Sequence, residues 1–231
     1  MSFRLLLLVR HADSEKNELG QFAGNEASDR LTAAGEQQLR RLTDEIELLI
    51  KELGIKSTGI AHADSGRART TADALRLFSS DTPIATSGFR SIRSGVASGL
   101  RETEIAKIYP NFACSLQLYR EGVLSSYNIP YPSGAEPVID FESEVRHALH
   151  SILSGANREL QIIVGHRSSI TALLLHYARL AHSYPPTFFG FIPLSACLTS
   201  CIDIRPGREC ILWVNRVLTP DSIAQASTRQ D

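Results

Sequence analysis

The stretch LLLLVRHADSEKN, residues 5–17, opens on five consecutive apolar residues and breaks at once into Arg10, His11 and Asp13. So short and continuous an apolar run reads as a β-strand buried on both faces. Polar groups at its abrupt end stand where open α/β sheets bind ligands, beyond the carboxyl ends of the strands. The letters HADS recur at residues 62–65, in GIAHADSGRARTTA. Two copies of His-x-Asp also suit a pair of metal-binding strands in a two-metal hydrolase, so the flanking residues must decide.

Working outward, the spacing predicts a helix from Thr32 to about Leu53, with Leu39, Leu42, Ile46, Leu49, Ile50 and Leu53 on one stripe. Thr32 is its expected cap and Gly54 its stop. A strand at TGIA (58–61), a helix over 67–78, a strand at TPIAT (82–86), a helix over 141–153, a strand at LQIIVG (160–165) and a helix through SSITALLLHYARL (168–180) follow. The runs ACLTSCIDI and CILWVN flank the turn RPGR and predict a C-terminal hairpin, while DSIAQASTRQD (221–231) reads as a frayed tail. Strands alternating with helices imply a three-layer α/β/α fold on a mostly parallel sheet. Residues 108–137 carry aromatics, Pro and Gly without sustained periodicity and are expected to form an insertion covering a site.

The 231 residues suit a single domain, 1–231. Hydrophobic residues make up 43% and charged residues 21%, with a formal net charge of −1, which suggests neither a disordered tail nor a nucleic-acid-coating protein. The apolar run at residues 5–9 is too short for a signal-peptide core or a membrane span, so no membrane partner is expected. The four cysteines, Cys114, Cys197, Cys201 and Cys210, form no C-x-x-C pair, which suits a reduced, cytoplasmic protein. Cys197 and Cys201, four apart, are expected on one face of a strand in the core. His147 and His150, at helical spacing, read as solvated helix residues rather than metal ligands, and Arg90, Arg93 and Arg101 as a solvated loop. The sequence leaves the oligomeric state open.

Three strands end in RHADSEKN, HADSGRART and GHRSS, so Arg10, His11, Arg67 and His166 are expected to converge at one sheet edge. Guanidinium forks match phosphate oxygens, and a neutral imidazole can attack phosphorus to form a phosphohistidine. These residues carry a resemblance. LVRHADSEKN resembles the R-H-G-x-[ST]-x-x-N pattern of the histidine phosphatase superfamily, whose fold is phosphoglycerate mutase-like. LTAAGEQQ (31–38), RARTTA, GLRETEI, YPSGAEP and IIVGHRSSI resemble further elements of that family in the expected order.

The resemblance implies a phosphomonoesterase in which His11 attacks phosphorus, Arg10, Asn17, Arg67 and His166 hold the phosphoryl oxygens, and Glu102 protonates the leaving group and then activates water. Glu104 is the alternative acid. No metal and no organic cofactor are implied, and the substrate is a small phosphorylated molecule or a phosphoprotein. Two departures stand out: Ala12 replaces the family glycine after the nucleophile, and Arg167 replaces the glycine that often follows the second His. Arg167 reaches either a second anionic group or solvent, and Ser14 contacts substrate or merely caps its loop. A phosphoglycerate mutase, which returns the phosphoryl group to product, and a non-catalytic phospholigand-binding module remain alternatives. His62, in the second HADS copy, is expected to tolerate substitution far better than His11.

Overall fold

The computed structural model describes residues 4–22, 30–155, 158–182, 192–220 and 223, with backbone alone over 179–182. The strands are β1 (Leu5–Arg10), β2 (Thr58–Ala63), β3 (Ile84–Thr86), β4 (Leu160–Gly165), β5 (Thr199–Asp203) and β6 (Cys210–Arg216). The helices are α1 (Glu15–Glu18), α2 (Ala33–Leu53), α3 (Gly66–Leu75), α4 (Glu102–Ile108), α5 (Pro110–Arg120), α6 (Val138–Ser154) and α7 (Arg167–His182).

The sheet order is β3-β2-β4-β1-β5-β6. The first four strands run parallel, β5 runs antiparallel to β1, and β6 runs antiparallel to β5. The chain crosses the sheet one way through β1, β2 and β3, then back to β4. With right-handed crossovers this puts α2 and α3 on one face and α6 on the other, and α2 packs on α3 while α6 packs on α7. Helices on both sides explain why β1, β2 and β4 are almost continuously buried.

The long helix α2 is cut as its sequence implies. Thr32 accepts the Gly35 N–H at 3.0 Å, and Gly54 ends the helix at φ 62°. Gly35 does more than begin a helix. A β-carbon there would lie 2.2 Å from the Asp13 carbonyl oxygen, so the helix presses directly on the loop after β1. Alanine gains about 1 kcal/mol of helix propensity over glycine, but a backbone oxygen cannot rotate away, and overpacking costs about 1–3 kcal/mol. Gly35→Ala is therefore expected to lower unfolding stability by up to about 2 kcal/mol net. Urea titration checks it, and a stabilised variant would contradict the close approach.

Three expectations change. Residues 108–137 are substantially helical: α5 carries Phe112, Leu116 and Tyr119 on one stripe, and only Tyr109, at φ −129° and ψ 63°, separates it from α4. These helices enclose a small second core of Ala97, Ile105, Phe112 and Ile129, with Phe22, Leu116 and Tyr131 against it. Helix α3 ends at Leu75 and continues as a 3-10 turn over Arg76–Phe78. Cys197 lies outside β5, at φ 53°, because its N–H is drawn to the Arg10 carbonyl at 3.0 Å. It is buried like Cys201, but no single strand presents both. The tail 221–231 lies outside the described residues apart from Ile223, which is buried.

Candidate active site

The central pairing of β1 with β4 places the site. Arg10 lies opposite Gly165, and the His11 N–H bonds the Gly165 carbonyl at 3.0 Å, so the residues just past both strand ends, His11 and His166, are neighbours. Their rings meet edge to face with centroids 4.8 Å apart. β2 flanks β4 on its other side, and the first turn of the helix that follows it, α3, carries Arg67. Arg67 Nε–H donates to His11 Nε2 at 3.1 Å, and its Nη2 lies 3.4 Å from His166 Nδ1.

These contacts set the tautomers. His11 Nδ1 faces the Ala12 carbonyl at 2.8 Å, and a carbonyl only accepts, so Nδ1 carries the proton. Nε2 therefore keeps its lone pair, the one Arg67 donates to. His166 has the opposite arrangement: Nδ1 accepts from Arg67, so Nε2–H points to Ser65 Oγ at 3.0 Å. Burial, then Arg67, Arg10 and Arg167, push His11 down to about 3 against the pull of the Ala12 carbonyl. Burial, then His11 and Arg67, hold His166 well below the ordinary imidazole range. Burial and the neighbouring Arg167 lower Arg10 to about 10, still cationic, and its Nη1 donates to the Leu194 carbonyl at 2.7 Å.

Neutral folded imidazoles make stability depend on pH with a definite sign. Below the unfolded value of about 6.5, the unfolded chain takes up protons that the folded chain refuses. Stability therefore falls as pH drops from about 6.5 toward 3, by up to about 1.4 kcal/mol per pH unit for His11. Between pH 7.5 and 5.5 in phosphate-free buffer, the wild type is expected to lose about 1 kcal/mol more than His11→Gln does. Equal losses in urea titrations would contradict a neutral folded His11.

The two histidines and two arginines open into a cavity of about 560 Å³. Asn17 lines it, and its Oδ1 accepts the Ser14 N–H at 3.2 Å and the Ser14 hydroxyl at 2.7 Å. Ser14, open between substrate contact and a loop cap, is fully buried, absent from the lining and caps its loop, where its N–H and hydroxyl hold Asn17. Glu102 and Arg167 line the cavity, but Glu102 is more than half exposed and both its oxygens are taken by Arg120. Glu104 is not in the lining; its carboxylate accepts the Arg101 N–H at 2.7 Å. Asp13 lines the cavity too, clamped by Gln38, which donates to Oδ2 at 2.8 Å and accepts the Asp13 N–H at 3.0 Å.

Sequence reasoning missed several lining groups. Lys16 is buried in the wall and close enough to act electrostatically on His166. Glu142 is a buried carboxylate that accepts the Tyr127 hydroxyl at 2.7 Å. Tyr119 and Arg120 come from α5, whose unrecognised helix gave no reason to place them. Arg90, read as a solvated loop residue, instead binds Glu136 bidentately at 2.7 Å and lies over the Phe141 ring.

The two HADS copies do different work. His62 is buried within β2, with Nδ1 against the Ala63 carbonyl at 2.6 Å, and does not line the cavity. Among the described residues no group of three or more His, Cys, Asp or Glu is placed to hold a metal ion, and no helix is long and apolar enough to cross a membrane.

Solved structures share this fold across nearly the whole chain. Bacillus stearothermophilus YhfR aligns with a TM-score of 0.69 at 22% identity, over 90% of this chain and 95% of its own. The mycobacterial glucosyl-3-phosphoglycerate phosphatase, solved with VO3, gives 0.70 at 18% over 92% and 98%. The phosphoserine phosphatase of Entamoeba histolytica, solved as a mutant with phosphoserine, gives 0.65 at 18% over 93% and 98%. No curated protein matches the sequence. Residues 6–216 match the family model described as histidine phosphatase superfamily (branch 1), and the chain belongs to that superfamily.

Proposed function

We propose that the protein is a phosphomonoesterase working through a covalent phosphohistidine on His11. The observation that carries this reading is the tautomer of His11: Nδ1–H is tied to the Ala12 carbonyl, and an unprotonated Nε2 stands beside Arg67. A phosphoryl group approaching Nε2 meets Arg67 and Arg10, with His166 and Asn17 completing a donor ring. His166 would take up a proton from solvent on Nδ1 as the phosphoryl dianion enters, turning that nitrogen from acceptor to donor. Donors preorganised for that charge need no reorganisation as it develops. The P–O bond to the alcohol breaks as the P–N bond forms, and water then takes the phosphoryl group from His11. Phosphatase names among the structural neighbours favour water over an alcohol as acceptor. Steady release of inorganic phosphate from a panel of phosphomonoesters is the test; binding without release would overturn the reading.

Glu102 is the proposed proton donor to the leaving oxygen, and its bidentate pair with Arg120 must open for it to act. Glu102→Gln is expected to lower kcat about 100-fold for an alkyl phosphate, whose alkoxide needs a proton. For p-nitrophenyl phosphate, whose phenolate leaves unaided, little change is expected. Equal effects on both substrates would remove Glu102 from the proton path and direct attention to Asp13.

A further inference from the structure

Ser65 stands at the N-cap of α3, at φ −71° and ψ 147°. Serine is favoured there because its side-chain oxygen accepts one of the first helical N–H groups. Thr32 does this ahead of α2, accepting the Gly35 N–H. Ser65 does not: its side chain makes no cap bond, and its hydroxyl lies instead 3.0 Å from His166 Nε2. Ser65 is half-buried and absent from the cavity lining, so it stands behind the imidazole and touches no substrate.

The His166 ring needs such a partner. Its backbone is fixed, with the N–H on Ser169 Oγ at 3.0 Å, while the ring has two hydrogen-bond contacts, Arg67 at 3.4 Å and Ser65 at 3.0 Å. The Arg67 contact is longer than an ordinary N–H hydrogen bond, so Ser65 is the firmer tether. Burial and then His11, Arg67, Arg10 and Lys16 all oppose a positive charge on the ring. The N-terminus of α7, which begins at the next residue, opposes it too. Among the described residues, the Ser65 oxygen is the one acceptor within hydrogen-bond distance of a ring nitrogen.

We propose that Ser65 is a positioning residue for His166: its hydroxyl accepts Nε2–H, leaves Nδ1 facing the phosphoryl position, and stabilises the imidazolium formed when Nδ1 takes up a proton from solvent. This rests on the phosphoester reading of the His11 end. A hydrogen bond from a charged donor is about twice as strong as one between neutral groups, so Ser65 matters more once the dianion is bound than before. In the second HADS copy it is thus the serine, rather than His62, that serves the site.

The test is the pH dependence of p-nitrophenolate release from p-nitrophenyl phosphate in a single turnover at saturating enzyme. This leaving group needs no proton, so the basic limb follows loss of the His166 proton in the complex. In Ser65→Ala the limb is expected to move down by about one pH unit, with a rate about tenfold lower at pH values above it. Ser65→Thr, which keeps the hydroxyl, is expected to restore the wild-type limb. An unmoved limb in Ser65→Ala, or a rate lowered equally at every pH, would overturn this role while leaving the phosphoester reading intact. No phosphate released from any monoester by the wild type would overturn both. Nitrogen NMR of the histidine-labelled wild type stands even if a variant does not fold. The expected result is a His166 protonated on Nε2 alone in the free protein and on both nitrogens with inorganic phosphate bound. A free ring protonated on Nδ1 alone, or a ring still neutral with phosphate bound, would overturn the role.

Discussion

His11→Ala is expected to lower kcat/KM for any turned-over phosphomonoester by about 10⁴-fold or more, because removing a nucleophile removes the covalent route rather than one contact. No other described side chain offers an unprotonated nitrogen in the same place: His166 Nδ1 accepts from the same arginine, but its ring lies edge-on to His11 and its Nε2 is engaged by Ser65. His62→Ala is the control, since that ring is buried in β2 away from the cavity. It is expected to cost stability while leaving kcat/KM within a few-fold of wild type. Retained activity in His11→Ala, or an equal loss in His62→Ala, would contradict the assignment.

The second large effect is expected at Arg67. One guanidinium touches both imidazoles, so it fixes two tautomers, and under the proposed mechanism it would also present donors to the phosphoryl oxygens. Arg67→Met, which keeps much of the buried stem, is expected to cut kcat about 10²–10³-fold, the range for losing a preorganised donor at a charged transition state. Loss of its charge also removes one cause of the low His11 pKa. In the Arg67→Met variant the acid limb of the pH–rate profile should therefore move upward, toward the ordinary imidazole value. A loss of kcat with an unmoved acid limb would show that Arg67 binds phosphate without controlling His11.

How much of this was legible in the sequence depends on how each residue is placed. β1 and His11 were readable because five buried residues end abruptly in Arg-His, and local burial alone forces that boundary. Arg67 and His166 were readable because each follows a strand at once, so any parallel sheet brings them to the same edge. Lys16 and Ser65 were not: their closeness to His166 depends on β4 lying between β1 and β2, an order that periodicity does not supply. α5 was missed because Pro110 interrupts the pattern after α4 and Tyr residues blur its apolar stripe, although Phe112, Leu116 and Tyr119 sit at helical spacing. Ser14 stayed open between substrate contact and loop cap because only the folded loop shows its hydroxyl directed to Asn17. Glu102 was located in the lining, but its pairing with Arg120 needed α5 to exist first.

The central claim, attack by His11 Nε2, is tested most directly by rapid quench of a single turnover, followed by mass spectrometry of the peptide containing residues 5–17. A single phosphoryl group on His11, lost in acid and retained in base, and formed and consumed at rates that account for turnover, is the predicted result. Phosphate release with no phosphorylated His11 at any quench time, or with the phosphoryl group on another residue, would contradict it.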